Sequence, residues 1–344
     1  MRIAVFLPNW IGDAVMATPA VRALRETYPQ AHLAAVARPY VAGVLGGAPW
    51  FDSTILMESR GWLRAAWRLW REKTDWAVLF PNSFRSALVA WLARCRRIIG
   101  FNRYGRRWML TDSVQPHWGK AGTLTPTPIV DDYNRLAARA GCIWPGYRLE
   151  LFTTPADEAA AEAVWQQAGF AGRREVVCLN PGAAFGAAKH WYAESFADLA
   201  QEFIDRRGSG VLVLCGPAER DLARRIADLT ARPAIHTLAD HPVSLGLTKA
   251  CVRRADLLVT TDSGPRHFAT AFDKPVVTLF GPTHIAWTET YHPLGVNLQK
   301  SVPCGPCQQR TCPLDHRCMK LLTPAEVFDA ARQLLARPPL RKAS

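Results

Sequence analysis

Four short stretches of this 344-residue sequence set polar groups and glycines directly after apolar runs. The clearest is Asp262-Ser263-Gly264-Pro265, which follows the apolar run 257–259 and precedes a second one at 276–280. Proline is tolerated in a first helical turn, so the unit reads as strand, loop, short helix and strand. Free backbone N–H groups and the positive end of a helix dipole at Ser263 and Gly264 would suit a phosphate, with His267 close behind. A second stretch runs from Asn180-Pro181-Gly182 to Gly186-Ala187-Ala188-Lys189. Its small residues let backbone N–H groups approach a ligand, and Lys189 brings a point charge suited to a diphosphate. The plainer reading is a surface loop with a solvated lysine. In the third, Gly216-Pro217-Ala218-Glu219, the carboxylate either accepts from ribose hydroxyls or caps the following helix. In the fourth, Gly12-Asp13, the carboxylate is either a helix N-cap or a general base at the edge of a sheet. Neither a G-x-G-x-x-G dinucleotide fingerprint nor a Gly-Lys-Ser/Thr phosphate loop occurs at these places.

Such loops need strands to carry them. Apolar strand-like runs at 3–7, 33–36, 54–56, 76–80 and 97–100 alternate with helical spacing near 14–28, 60–73 and 83–94, with a last helix near 132–140. The same alternation begins again with strands at 176–179, 211–215, 257–260 and 276–280, separated by helices near 192–207, 218–230 and 244–253. Strands alternating with crossover helices imply parallel, doubly wound sheets, here α/β and two in number. The expected domains are 1–155 and 156–344, the second ending in a cysteine-rich segment at 303–318 and a C-terminal helix. The tail 337–344 is expected to fray.

Composition limits the alternatives. At 49% hydrophobic residues the chain can bury large cores, and no apolar run approaches the roughly 18–20 residues that cross a bilayer. A soluble, cytoplasmic chain is expected. Cys95, Cys142, Cys178, Cys215 and Cys251 lie among apolar neighbours, as reduced core thiols do. The net charge of +13 is uneven: residues 1–150 carry 20 Lys+Arg against 10 Asp+Glu, the remainder 22 against 19. The first half should therefore meet something acidic. Nucleic acid would need arginines interleaved with stacking aromatics or a known module, and only 60–73 approaches that pattern, so no nucleic-acid partner is expected.

Taken together, Gly12-Asp13, Pro181-Gly182-Ala183 with Lys189 and Trp191, Gly216-Pro217-Ala218-Glu219, Asp262-Ser263-Gly264 with His267, and Phe280-Gly281-Pro282-Thr283 resemble the ADP-heptose:lipopolysaccharide heptosyltransferases. These are inverting enzymes of GT-B architecture, two Rossmann-like domains facing across a cleft. The form of the Lys189 loop is more similar to heptosyltransferase II than to heptosyltransferase I, whose paired threonines are here Ala184 and Phe185. The resemblance implies Asp13 as base. It implies Lys189, Glu219, Asp262, Ser263, Gly264 and His267 around an ADP-heptose donor, and an anionic glycolipid, heptosylated Kdo–lipid A, as acceptor at the cytoplasmic face of the inner membrane. Other heptosyltransferases of the family, or a GT-B nucleotide-sugar epimerase using its cleft carboxylates and histidines, are the alternatives.

The acceptor would account for the basic first half. Arg60, Arg64, Arg68 and Arg71 fall on one helical stripe beside Leu63, Trp67 and Trp70, either an interfacial helix or a core helix with solvated arginines. Arg103, Arg106 and Arg107 form a second basic cluster, so Arg60, Arg64, Arg103 and Arg106 are the acceptor candidates. Cys304, Cys307, Cys312 and Cys318, with His316 among them, have enough sulfur for a structural zinc, though redox disulfides or reduced thiols under a loop fit the spacing as well. No Asp-x-Asp motif that would hold a divalent metal on a nucleotide diphosphate occurs, so no catalytic cofactor is expected. Turnover by the purified enzyme should persist in excess EDTA, and its abolition would contradict metal-independent catalysis.

Overall fold

The computed structural model describes residues 1–58, 60–117 and 125–337; most of the tail expected to fray, and part of the loop before the helix near 132–140, lie outside the described residues. The chain divides into two compact units, Met1–Phe152 with Ala286–Thr290, and Thr153–Ile285 with Tyr291–Ser344.

In the first unit the strands are β1 (Arg2–Phe6), β2 (His32–Ala37), β3 (Ser53–Leu56), β4 (Trp76–Leu79), β5 (Arg97–Phe101) and β6 (Asp112–Val114). They form one parallel sheet in the order β3-β2-β1-β4-β5-β6. A parallel sheet is covered on both faces, which is why β1 reads Ile3-Ala4-Val5-Phe6 without alternation and all four are buried. The helices are α1 (Ile11–Met16), α2 (Thr18–Thr27), α3 (Pro39–Val44), α4 (Trp62–Arg71), α5 (Phe84–Leu92) and α6 (Ile129–Arg139). The helix expected near 14–28 is thus two, joined at Ala17. The α3 helix and the β6 strand escape sequence reading because each is short.

The helix expected at 60–73 is α4, and its packing decides between the two readings of its stripes. Ala65, Ala66 and Leu69 face the core, while Leu63, Trp67 and Trp70 are 58%, 55% and 48% exposed. The tryptophans therefore do not pack inside; small alanines bring the helix close to the sheet. Arg60 precedes the helix and its N-cap Gly61, so it does not belong to the arginine stripe.

The second unit repeats the plan. After α7 (Pro155–Gln167) come β7 (Val176–Asn180), α8 (Ala193–Arg207), β8 (Gly210–Val213), α9 (Arg220–Thr230), β9 (Ile235–Thr237) and α10 (Leu245–Arg254). The unit continues with β10 (Leu257–Thr261), α11 (Pro265–Ala271), β11 (Val276–Phe280), β12 (Gly295–Gln299), α12 (Arg317–Lys320) and α13 (Pro324–Leu335). Its parallel sheet runs β12-β11-β10-β7-β8-β9. In both sheets the chain starts centrally, winds out to one edge, then returns to the other side of its first strand. The switch points lie between β1 and β4 and between β7 and β10, where open α/β sheets bind ligands beyond the carboxyl ends of the strands.

One candidate acceptor residue is corrected here. Arg106 is fully buried, and its guanidinium donates to the carbonyls of Phe101 at 2.9 Å, Pro81 at 2.6 Å and Ser83 at 3.1 Å and to the Asn82 side chain at 3.0 Å. Burial, with Arg103 near by, pulls its pKa down to about 10. Arg106 is thus a staple between the β4 and β5 loops, with its donors spent on carbonyls that strand geometry leaves unpaired. An Arg106→Leu variant should lose about 3 kcal/mol of stability because those carbonyls stay dry and unsatisfied. Denaturant unfolding followed by tryptophan fluorescence checks this; a loss below about 1 kcal/mol would mean that water replaces the guanidinium.

Candidate functional site

At the second unit's switch point the loops after β7, β8, β10 and β11 converge. The β7 strand ends at Asn180, whose amide donates to the hydroxyls of Thr260 and Ser263, both at 2.9 Å. Thr261 donates to the Gly182 carbonyl at 2.7 Å, so the first and third loops are laced together. Gly182 has no room for a side chain: a Cβ there would lie 2.1 Å from Glu219 Oε1. Glu219 accepts the Gly216 N–H at 2.8 Å, which closes the tight turn Pro217–Glu219. The carboxylate thus holds its own turn against the β7 loop and makes no side-chain cap on α9.

Lys189 does not stand in solvent as a surface-loop lysine would. It is 8% exposed; its ammonium pairs with the Asp262 carboxylate and donates to the Asp262 carbonyl at 3.0 Å. Thr283 donates to the same carboxylate at 2.7 Å, and the Arg266 guanidinium stands 3.7 Å from its other oxygen. Burial alone would raise the Asp262 pKa, but Lys189 and Arg266 outweigh it and hold the carboxyl below its ordinary value. Its stabilising effect is therefore in place above the ordinary carboxylate pKa and fades only as pH falls through the depressed one. Asp262, expected at the donor, is in the structure the anchor of Lys189, its own charge answered by the ammonium.

His267 lies behind this pair. It is 2% exposed, burial and the neighbouring Arg266 charge hold its pKa far below the usual range, and its Nδ1 finds no partner among the described residues. A neutral, enclosed imidazole adds no charge to a phosphate site. Lys189, Arg266 and Asp262 then sum to one positive charge beneath the loop. Ser263 and Gly264 are partly exposed above it, and their backbone N–H groups find no acceptor among the described residues. With only seven residues in α11, these local N–H groups matter more than a summed helix dipole. Thr260 and Arg266 are not legible as site residues in the sequence: Thr260 is a polar side chain near the end of a buried apolar strand, and Arg266 follows Pro265 in a short helix.

The cysteine-rich segment packs against this site from outside. Cys304, Cys307, Cys312 and Cys318 are free thiols lining one small pocket with His316. Cys304, Cys307 and Cys312 lie near enough to Cys318 to help raise its thiol pKa, for which burial is the larger cause, although among the described residues no three His, Cys, Asp or Glu side chains are drawn together as a closed metal cage. The segment's visible role is mechanical. Arg310 accepts the Ala188 N–H at 3.0 Å, His316 bonds the Ala188 carbonyl at 2.8 Å, and Gln308 donates to the Pro282 carbonyl at 2.8 Å. Gly186, at φ +155°, would place a Cβ 2.4 Å from the Arg310 carbonyl oxygen.

In the first unit Asp13 lies third in α1, so it is not the N-cap; Trp10 occupies that place without a side-chain bond. It is half-buried at the β1–β4 switch point, close enough for its charge to help raise the pKa of Tyr133, for which burial is the larger cause. Asn9 beside it accepts from Arg38 at 3.1 Å and from the Tyr40 hydroxyl at 2.5 Å. Arg103 follows β5 at the same edge with its guanidinium 4.9 Å from the Tyr104 ring, and Arg64 is exposed on α4.

Comparison with known proteins bears on this arrangement. The lipooligosaccharide heptosyltransferase 2 of Campylobacter jejuni is 26% identical over 97% of this chain and 99% of its own. The lipopolysaccharide heptosyltransferase 2 of Escherichia coli is 28% identical over 82% and 83%. The solved E. coli ADP-heptose lipopolysaccharide heptosyltransferase II superposes with a TM-score of 0.79 at 25% identity, over 97% of this chain and 98% of that one, and the fold is GT-B. A model of glycosyltransferase family 9 (heptosyltransferase) matches residues 62–317, and the chain, a glycosyltransferase, belongs to that family.

Proposed function

We propose that this enzyme transfers heptose, with inversion, from ADP-heptose to the heptosylated Kdo–lipid A inner core of lipopolysaccharide. The observation that carries the reading is the cationic loop cluster at the second unit's switch point, built around the buried Lys189–Asp262 pair. Domain 156–344 would bind the donor. Free N–H groups of Ser263 and Gly264 would hold the diphosphate, with Lys189 and Arg266 supplying positive potential already fixed in direction. Glu219, partly exposed at the rim of the β8 loop, would accept from ribose hydroxyls.

Domain 1–155 would receive the acceptor. An acceptor hydroxyl attacks the anomeric carbon as ADP departs; Asp13 would take the hydroxyl proton, and the diphosphate would carry away the bonding pair. Arg60, Arg64 and Arg103 remain as candidates for the acceptor's phosphates and carboxylates; Arg106 does not. The outward tryptophans of α4, with Arg64 and Arg71 beside them, support peripheral contact with the cytoplasmic face of the inner membrane.

ADP release from ADP-heptose should require a heptosylated Kdo–lipid A acceptor; release without it, or interconversion of the sugar, would favour epimerisation. An Asp13→Asn variant should keep its affinity for ADP while kcat falls about 10²–10⁴-fold. A fall of less than about tenfold would leave Asp13 as an ordinary first-turn residue. Gly186→Ala forces the Lys189 loop off Arg310, and ADP should bind about tenfold or more weakly, since backbone strain of this kind costs about 1–3 kcal/mol. Calorimetry with ADP reads that loss; unchanged affinity would separate the loop from the donor.

A further inference from the structure

The first unit holds an open cavity of about 720 Å³ whose lining contains none of the residues assigned above to donor, acceptor or proton transfer. Its floor is the buried side of Cys95, Ile98, Met109 and Leu110, and its walls are Trp91 and Trp108, whose rings meet edge to face at 5.5 Å. Trp91 and Trp108 are 47% and 60% exposed, and Phe84, on the other side of Trp108, is exposed as well. The volume suits a small-molecule site, yet the lining lacks the convergent polar groups that orient a soluble ligand. Arg94 and Thr111 alone bring a charge or a hydroxyl to it.

Charge identifies the occupant. Residues 84–110 contain seven arginines and no aspartate or glutamate. Arg94, Arg96 and Arg107 are exposed and make no ion pair among the described residues. On α4, which packs along α5, Trp67 and Trp70 also face outward. Large apolar side chains beside exposed arginines, which outnumber the two nearby carboxylates, Asp75 behind Cys95 and Asp112, itself paired with Arg97 and Arg139, match the interfacial layer of an anionic bilayer, where rings lie at headgroup level and arginines reach phosphates.

We propose that this cavity seats one acyl chain of an anionic bilayer phospholipid, over Cys95, Ile98, Met109 and Leu110 and alongside the contacting Trp91–Trp108 pair, with Arg94 and Arg107 at its headgroup phosphate. The proposal deepens the reading of membrane contact and rests on it, but is independent of heptosyl transfer.

Monomeric lysophosphatidylglycerol, kept below its micelle concentration, should bind the full chain saturably at one site, and glycerol phosphate should not. A Trp91→Ala/Trp108→Ala variant should lose that site and bind phosphatidylglycerol-containing vesicles more than tenfold more weakly, with an unchanged thermal transition and unchanged transfer to a deacylated acceptor. Equal vesicle binding and equal lysolipid binding by this variant would overturn the cavity while leaving contact through α4, which Trp67→Ala/Trp70→Ala tests separately. Wild-type protein that ignores both lipids overturns both ideas. A changed oligomeric state with unchanged lipid binding would assign the face to a second copy of the chain and overturn the proposal. Loss of turnover on the deacylated acceptor would place the face in the reaction and overturn it too.

Discussion

The buried ion pair between Lys189 and Asp262 is the constraint on which the second unit's edge depends. Taking either charge out of water alone is costly, and their mutual attraction offsets that cost only where the remaining valences are filled. Here they are: Thr283 donates to the carboxylate, Arg266 approaches its other oxygen, and the ammonium also reaches a carbonyl. Because the partners come from loops after β7, β10 and β11, one pair fixes three loops. The backbone amides of Ser263 and Gly264 are therefore fixed in direction by the fold itself, and fixed direction is what makes dipoles effective on a charge set before them.

Close backbone approach is the second constraint, and it explains the glycines better than flexibility does. Gly182 admits the Glu219 carboxylate, Gly186 admits the Arg310 carbonyl, and Gly281 admits the Met319 sulfur, which would lie 2.6 Å from a Cβ. Gln299 completes the set by donating to the carbonyls of Gly281 and Thr283 at 3.2 and 2.8 Å. The first glycine contact joins two loops of the same sheet edge, and the other two join that edge to the segment beyond residue 304. The segment 304–318 thus adjoins that edge, and its thiols lie next to the machinery without belonging to it.

Much of the sheet architecture is legible in the sequence because parallel strands buried on both faces leave continuous apolar runs. The β9 strand, Ile235-His236-Thr237, and β12, Gly295–Gln299, were missed because edge strands are only half covered and their polar residues break the run. The α7 helix was missed although Thr154 and Asp157 form a capping box around Pro155; its Ala-rich body has little apolar periodicity. At the site, spacing placed Lys189, Asp262 and Ser263 at strand ends but could not pair residues 73 positions apart. Arg106 failed for a related reason: a guanidinium spent on distant carbonyls has the same local sequence as one spent on a ligand. On α4 the periodicity separated two stripes correctly and left open which one faces inward, because small alanines can bury a helix as well as tryptophans can.

Charge, finally, is not spread as the composition suggests. Most carboxylates of the first unit are spent within it, on Arg2, Arg22, Arg25, Arg68, Arg97, Arg135 and Arg139. Some of those pairs tie a helix to the sheet, as Arg2–Glu72 and Arg139–Asp112 do, while Arg68–Glu72 and Arg135–Asp132 lie along single helices, and all leave little net field where they occur. The surplus gathers on α5 and the loops after it, where no acidic residue interrupts residues 84–110, and on the exposed side of α4. Had the excess served solubility alone, the carboxylates would be expected to intermix with it. Segregation beside outward tryptophans instead concentrates positive potential where apolar surface is also exposed, and a phosphate-rich, partly apolar boundary satisfies both features together.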